Sequence, residues 1–210
     1  MRDAATARIR LLIADDQALV RGALAALLEL EPDLEVVAEV GRGDLVVDAA
    51  RANRADVALL DIEMPGLDGV AATRELRAAV PGCRVLMVTT FGRPGYLRQA
   101  MAAGASGFVV KDTPARQLAD AVRRVHRGLR VVDPTLAAES LARGESPLTL
   151  RESEVLRAAA DGKTAADVAA ELHLSEGTVR NYLSSAIAKT GARTRAEAVR
   201  LALEQGWLLG

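Results

Sequence analysis

Cysteine is almost missing from this chain of 210 residues: Cys83 stands alone, so no intrachain disulfide can form and a reducing compartment suits it. A small buried residue leading into a strand is its simplest role. Long apolar runs are missing too, since none reaches the ~18 residues that a membrane-crossing helix needs. The opening segment MRDAATARIR lacks the apolar stretch of a secretory signal, so a cytoplasmic protein with no membrane partner is expected. Neither sign of charge is in excess. The formal net charge of −1 gives no global hint of a nucleic-acid partner. What the chain does have is 50% apolar residues, ample for the core of one large or two small domains.

Those apolar residues are grouped in short runs that end on carboxylates. RIRLLIADD, residues 8–16, closes on Asp15 and Asp16, and VALLD, residues 57–61, closes on Asp61 before the turn MPGLDG. An Asp beside a Pro-Gly turn can simply bond nearby backbone N–H groups. Strands buried on both faces of a parallel sheet, however, read as continuous apolar runs, and ligands of such sheets bind outside the strands' carboxyl ends. If both runs are strands of one sheet, three carboxylates converge at one edge. Their mutual repulsion calls for a cation.

The rest of the first half alternates in the same way. After β-type runs come helical ones: helix 17–31, strand LEVVAEV, helix 44–52, strand DVALLD, helix 69–79, strand RVLMVTT, helix 95–102, strand SGFVV and helix 114–127. Five strands alternating with five helices predict an α/β fold, a doubly wound five-stranded parallel sheet over residues 1–128. Residues 129–146 break the pattern and read as a linker, with a short helix opened by Asp133 and Pro134. Residues 147–210 show helical segments only, a small all-α domain. TLRE, TAAD and TRAE, at 149–152, 164–167 and 194–197, are capping-box patterns, and Ser175 opens a further helix. The break at His173 and Leu174 between two of these helices gives a helix-turn-helix outline.

Asp15, Asp16 and Asp61 form an all-oxygen donor set, which suits Mg2+ and not softer metals. Thr89 ends the fourth apolar run and Lys111 follows the fifth, so a hydroxyl and an ammonium reach the same edge. A carboxylate nucleophile, a divalent cation, a hydroxyl and an ammonium are the parts of in-line phosphoryl transfer.

These motifs, ADD, LLDIEMPGLDG, VTT and GASGFVVKD in that order, resemble the receiver of a two-component response regulator of the NarL/FixJ class, a flavodoxin-like domain. The resemblance implies that Asp61 accepts a phosphoryl group from a cognate sensor histidine kinase. It implies that Asp15, Asp16, Asp61 and the Glu63 backbone carbonyl hold Mg2+, and that Thr89 and Lys111 bind phosphoryl oxygens. The position of the receiver's switch aromatic, often Tyr, is filled by Phe108, which is equally well a core residue. Phe91 and Glu63, each two residues past a site residue, are expected to border the approach of hydrolytic water. Two rival readings follow from the same residues. Phosphatases of the haloacid dehalogenase type also use a strand-end Asp with Mg2+, but they place a second Asp where this chain has Glu63. A DNA-binding protein with an unphosphorylated receiver is the other.

In the helix from Ser175 to Thr190, Val179, Leu183, Ala186 and Ile187 are spaced to face a core, which leaves Arg180, Asn181, Ser184 and Ala188 opposite. Arg reads guanine edges, Asn adenine edges and Ser either. A solvent-facing polar stripe would look similar. Residues 180–200 hold five basic side chains, Arg180, Lys189, Arg193, Arg195 and Arg200, against Glu197 alone. LTLRESEVL, GKTAADVAAELHLSEGTVRNYLSSAIAKTG and RAEAVRLA resemble the LuxR-type DNA-binding domain. That likeness implies base contacts by Arg180, Asn181 and Ser184, a phosphate contact by Lys189, and backbone contacts by Thr178 and Tyr182. Ser184 is shorter than the basic residue common there. The function implied is a phosphorylation-dependent regulator that binds promoter DNA as a homodimer, works with RNA polymerase and is not an enzyme. Leu19 and Ala23 on the first helix, with Leu118 and Val122 on the fifth, are the dimerisation candidates.

Overall fold

Residues 8–90, 94–134, 136–138 and 146–208 are described by the structure, a computed structural model. Phe91 and part of the expected linker, 135 and 139–145, lie outside the described residues. The described chain forms two compact units.

In the first unit, β1 (Ile9–Ala14), β2 (Leu34–Val40), β3 (Val57–Leu60), β4 (Arg84–Thr89) and β5 (Gly107–Val110) alternate with α1 (Ala18–Glu29), α2 (Val46–Ala52), α3 (Gly69–Ala79), α4 (Pro94–Ala102) and α5 (Ala115–His126). Every strand pairing is parallel, in the order β2-β1-β3-β4-β5-β6. The expected doubly wound sheet is there, with one strand more than five. The addition, β6 (Val131–Val132), pairs with Gly107 and Phe108 of β5 and is formed by the first residues of the expected linker. Asp133 then caps a turn by accepting the N–H of Leu136 at 3.1 Å.

The apolar runs are strands because helices cover both sheet faces: Leu11, Leu12, Leu59, Leu60, Leu86 and Met87 are all buried. At ~1.5–3 kcal/mol for each large side chain withdrawn from water, this sheet dominates the stability of the unit. Burial of Cys83 ahead of β4 pushes its thiol up to about 12, which makes it an inert core residue. On the edge of the unit, Arg123 of α5 forks onto Asp33 at 2.7 and 2.8 Å and reaches Glu31 at 2.5 Å. Its hydrogen bonds hold the Asp33 carboxyl below the usual range.

Sequence order along the sheet reverses at β1, whose neighbours are β2 on one side and β3 on the other. A crevice at such a switch point is where α/β sheets bind ligands. Two glycines shape the turn that follows β3. Gly66 takes φ +81°, and a Cβ on Gly69 would stand 1.9 Å from the carbonyl oxygen of Asp61. Asp68 then caps α3, its carboxylate accepting from Ala71 N at 2.7 Å. The MPGLDG turn is therefore built to bring α3 close behind Asp61.

The described residues 146–208 of the second unit form α6 (Leu150–Ala158), α7 (Ala165–Leu172), α8 (Glu176–Thr190) and α9 (Arg195–Glu204). Thr149 with Glu152 and Thr164 with Asp167 form complete capping boxes. The third pattern is half realised: Thr194 accepts from Glu197 N, but Glu197 turns back to Arg193 N. His173 ends α7 in the left-handed region, φ 54°, and Ser175 caps α8 by accepting from Thr178 N. That completes the helix-turn-helix.

Candidate functional site

Asp15 follows β1 and Asp61 follows β3, adjacent strands, so the two carboxylates meet at the crevice. Both are buried, 1% and 5% exposed, while Asp16 is exposed. One carboxylate oxygen from each of the three lies within 4.8 Å of the others. Lys111, following β5, sets its ammonium between the buried pair, 2.7 Å from Asp15 Oδ2 and 2.9 Å from Asp61 Oδ2. The second oxygens are occupied as well: Gln17 N donates to Asp15 Oδ1 at 2.9 Å and Ile62 N to Asp61 Oδ1 at 2.7 Å. Thr89 is buried at the end of β4, its carbonyl accepting from Lys111 N at 2.8 Å.

Burial raises the Asp61 carboxyl above its ordinary range, and the hydrogen bond from Lys111 only partly offsets it. For Lys111, burial works to lower the ammonium, but the hydrogen bonds it donates to Asp15 and Asp61 outweigh it and the net shift is upward. Three carboxylates and one ammonium leave a formal deficit of two positive charges. A small, hard divalent cation fits both that deficit and the all-oxygen donors. The Glu63 side chain is exposed and takes no part in the cluster. Phe108 is fully buried in β5.

In the second unit, Val179 and Ala186 are buried, with Leu183 and Ile187 packed against the core, as the spacing predicts. Arg180, Asn181, Ser184 and Ala188 form the exposed face. Arg180 is held by Glu176, one turn back, at 2.5 Å. Thr178 is half-buried, with its hydroxyl 2.8 Å from that of Ser175, and Tyr182 is half-buried beside the core. Lys189, the expected phosphate contact, is exposed, and its ammonium lies 2.8 Å from Glu152 of α6. Glu152 and Ser185, which bonds Glu152 at 2.6 Å, were not singled out by sequence. The capping box was the available signal, but it shows only the bond to Thr149.

The dimerisation candidates divide sharply. Leu19 is 87% exposed and Ala23 is exposed beside it, followed along α1 by Leu27 and, just past its end, by Leu30. Leu118 and Val122, by contrast, are 3% and 0% exposed in the sheet core, so neither can meet a partner. The outward face of α5 is polar instead, with Arg116, Gln117, Asp120 and Arg124.

Residues 11–123 match the family model described as response regulator receiver domain, more than half of the chain, and residues 146–202 match the one described as bacterial regulatory proteins, luxR family. The chain belongs to the response-regulator family. Among its relatives, the transcriptional regulatory protein DesR of Bacillus subtilis is 44% identical over 199 residues, 95% of this chain and 98% of DesR. The DNA-binding transcriptional activator DevR/DosR of Mycobacterium tuberculosis is 35% identical over 205 residues, 93% and 94% of the two chains. Among solved structures, the response regulator ChrA of a heme-sensing two-component system is similar with TM-score 0.57 and 34% identity, covering 94% of this chain and 98% of that one.

This response regulator thus joins a receiver to a LuxR-type DNA-binding domain, the order of the NarL/FixJ class, and is a transcriptional regulator. The relatives matched over nearly their whole length are named as transcriptional regulators, not as phosphatases. No helix among the described residues is long and apolar enough to cross a membrane.

Proposed function

We propose that Asp61 accepts a phosphoryl group from a sensor histidine kinase in the cytoplasm, and that the phosphorylated regulator binds promoter DNA as a dimer. The domains serving this are the receiver, 1–128, the linker, 129–146, and the DNA-binding domain, 147–210. The observation that carries the reading is the Lys111 ammonium bridging two buried carboxylates, with Asp16 beside them, at the sheet's switch point.

Asp15, Asp16, Asp61 and the backbone carbonyl of Glu63 would hold Mg2+, which when bound neutralises charge on the phosphoryl oxygens. An Asp61 oxygen attacks phosphorus in line as the phosphorus–nitrogen bond to the kinase histidine breaks, and the electron pair leaves with the imidazole. Lys111 can then turn from Asp61 to a phosphoryl oxygen without leaving Asp15, and the Thr89 hydroxyl is suited to another. Drawing these two groups inward shifts the ends of β4 and β5, where buried Phe108 offers an aromatic that can register the change. On the DNA side, Arg180, Asn181 and Ser184 are the exposed side chains of α8 suited to base edges, with Thr178 and Tyr182 near the backbone. The exposed stripe of Leu19, Ala23 and Leu27 on α1, with Leu30 at its end, suits the pairing of two copies, which would place two recognition helices on half-sites and present the complex to RNA polymerase.

Incubation with acetyl phosphate and Mg2+, followed by intact-mass measurement, tests the acceptor. The wild type should gain one phosphoryl group, and the gain should vanish with EDTA or in Asp61→Asn. Equal gain by the variant would overturn the assignment.

A further inference from the structure

Glu152 takes no part in the proposed DNA contacts, yet it is a buried, multiply hydrogen-bonded carboxylate of the DNA-binding unit. It is 4% exposed and receives three donors: Thr149 N at 2.7 Å and Lys189 Nζ at 2.8 Å on Oε2, and Ser185 Oγ at 2.6 Å on Oε1. Two of these come from α8, and they stand four residues apart, on one face of that helix. Together they clamp α8 to the first turn of α6. Ser184, on the exposed face, is the neighbour of Ser185, so the rotation of α8 that sets Ser185 on Glu152 also sets where Arg180, Asn181 and Ser184 point.

Charge gives the clamp a second consequence. The Lys189 side chain is 38% exposed, but its charge is already matched by Glu152, and turning it over to a DNA phosphate would leave a buried carboxylate without its cation, which is strongly disfavoured. Ser185, Thr149 and Lys189 together hold the Glu152 carboxyl down to about 2 against the effect of burial, so it stays ionised at any working pH. The Lys189 charge is therefore already neutralised by a partner within the chain.

We infer that Glu152 is a positioning residue for DNA recognition, clamping the recognition helix through Ser185 and Lys189, and that Lys189 makes no phosphate contact. This rests on the DNA-binding reading. It differs from ordinary core packing in what it predicts for salt dependence, because each phosphate neutralised by a cation contributes about 0.9 to the slope of log affinity against log salt.

The test uses the full chain with Mg2+ and beryllofluoride, and DNA selected by the wild type from a random-sequence pool, with unselected DNA for comparison. Affinities for both are measured across a KCl series. Lys189→Met should keep the wild-type slope while the preference for selected over unselected DNA falls several-fold. Glu152→Gln, which releases the ammonium, should steepen the slope by up to about 0.9 and also lose preference. A Lys189→Met slope shallower by about 0.9, with equal losses on both DNAs, would overturn the inference. If circular dichroism shows either single variant unfolded, Glu152→Gln/Lys189→Met, which buries no charge, carries the same reading: an unchanged slope supports the clamp and a shallower one overturns it. A wild type that selects no DNA would overturn the functional reading itself, and this inference with it.

Discussion

Asp61 and Lys111 are fifty residues apart in the chain and 2.9 Å apart in space, on strands separated by β4. Because the same ammonium is 2.7 Å from Asp15, it is shared between two carboxylates that would otherwise repel each other unscreened. Charge at this edge is thus partly offset by a group that can be redirected, and several consequences can be measured.

Asp61→Asn should raise the thermal midpoint at neutral pH while abolishing phosphoryl uptake. The folded-state pKa of Asp61 is raised, chiefly by burial, so its ionised form costs stability wherever the carboxyl is charged. The gain in the variant should be present at neutral pH and disappear as pH falls below the ordinary carboxylate range, where Asp61 is protonated folded or unfolded. Calorimetric scans of both proteins at several pH values check the sign; a variant less stable than wild type at pH 7 would contradict it.

Lys111→Met leaves Asp15 and Asp61 facing each other with no cation. Removing one partner of a buried pair costs on the order of 3 kcal/mol, so the receiver should be destabilised by that order in EDTA. Mg2+ should restore more stability to this variant than it adds to wild type, because it no longer competes with the ammonium. Thermal melts with and without Mg2+ measure the difference, and an equal Mg2+ effect in the two proteins would count against a shared site.

Glu152 provides a pH signature in the other unit. Its carboxyl is held at about 2, well below the ordinary glutamate value near ~4.3, so its stabilising effect is complete above the unfolded value and is lost as pH falls toward 2. In Glu152→Gln that portion of the acid sensitivity should be gone. Acid titration of helical circular dichroism should therefore show a shallower decline for the variant between about pH 4.5 and 2.

Leu19→Glu, alone or with Leu30→Glu, should block dimer formation by the activated protein without unfolding it, since both side chains are largely exposed and contribute little to the core. Sedimentation at micromolar concentration in beryllofluoride should give a wild-type dimer and a variant monomer. A variant that dimerises as well as wild type would remove α1 from the interface.

The site residues that could be read from the sequence are those whose position is local. Asp15, Asp61, Thr89 and Lys111 each terminate an apolar run, and a sheet covered on both faces makes such runs continuous, so strand end and functional edge coincide. The helix starts of the second unit were equally legible, because Thr149, Thr164, Ser175 and Thr194 bond backbone within three residues. Strand β6 was not. Two valines in a proline-containing linker become a strand only because the edge of β5 is there to receive them. The α1 and α5 stripes misled for a related reason: helical spacing gives a face but not its partner, so Leu118 and Val122 turned inward while Leu19 and Leu27 stayed out. Glu152 and Lys189, separated by 37 residues, meet through packing of α6 on α8, which periodicity does not encode.

Under the proposed function, the charge state of the receiver edge controls the DNA-binding domain. The most direct measurement of this control is the affinity of the full chain for DNA selected from a random pool, in Mg2+, with and without beryllofluoride. A coupling between sites of ordinary size predicts binding about 5- to 150-fold tighter with the phosphoryl mimic, and no change in Asp61→Asn. Identical wild-type affinities in the two conditions would contradict the account.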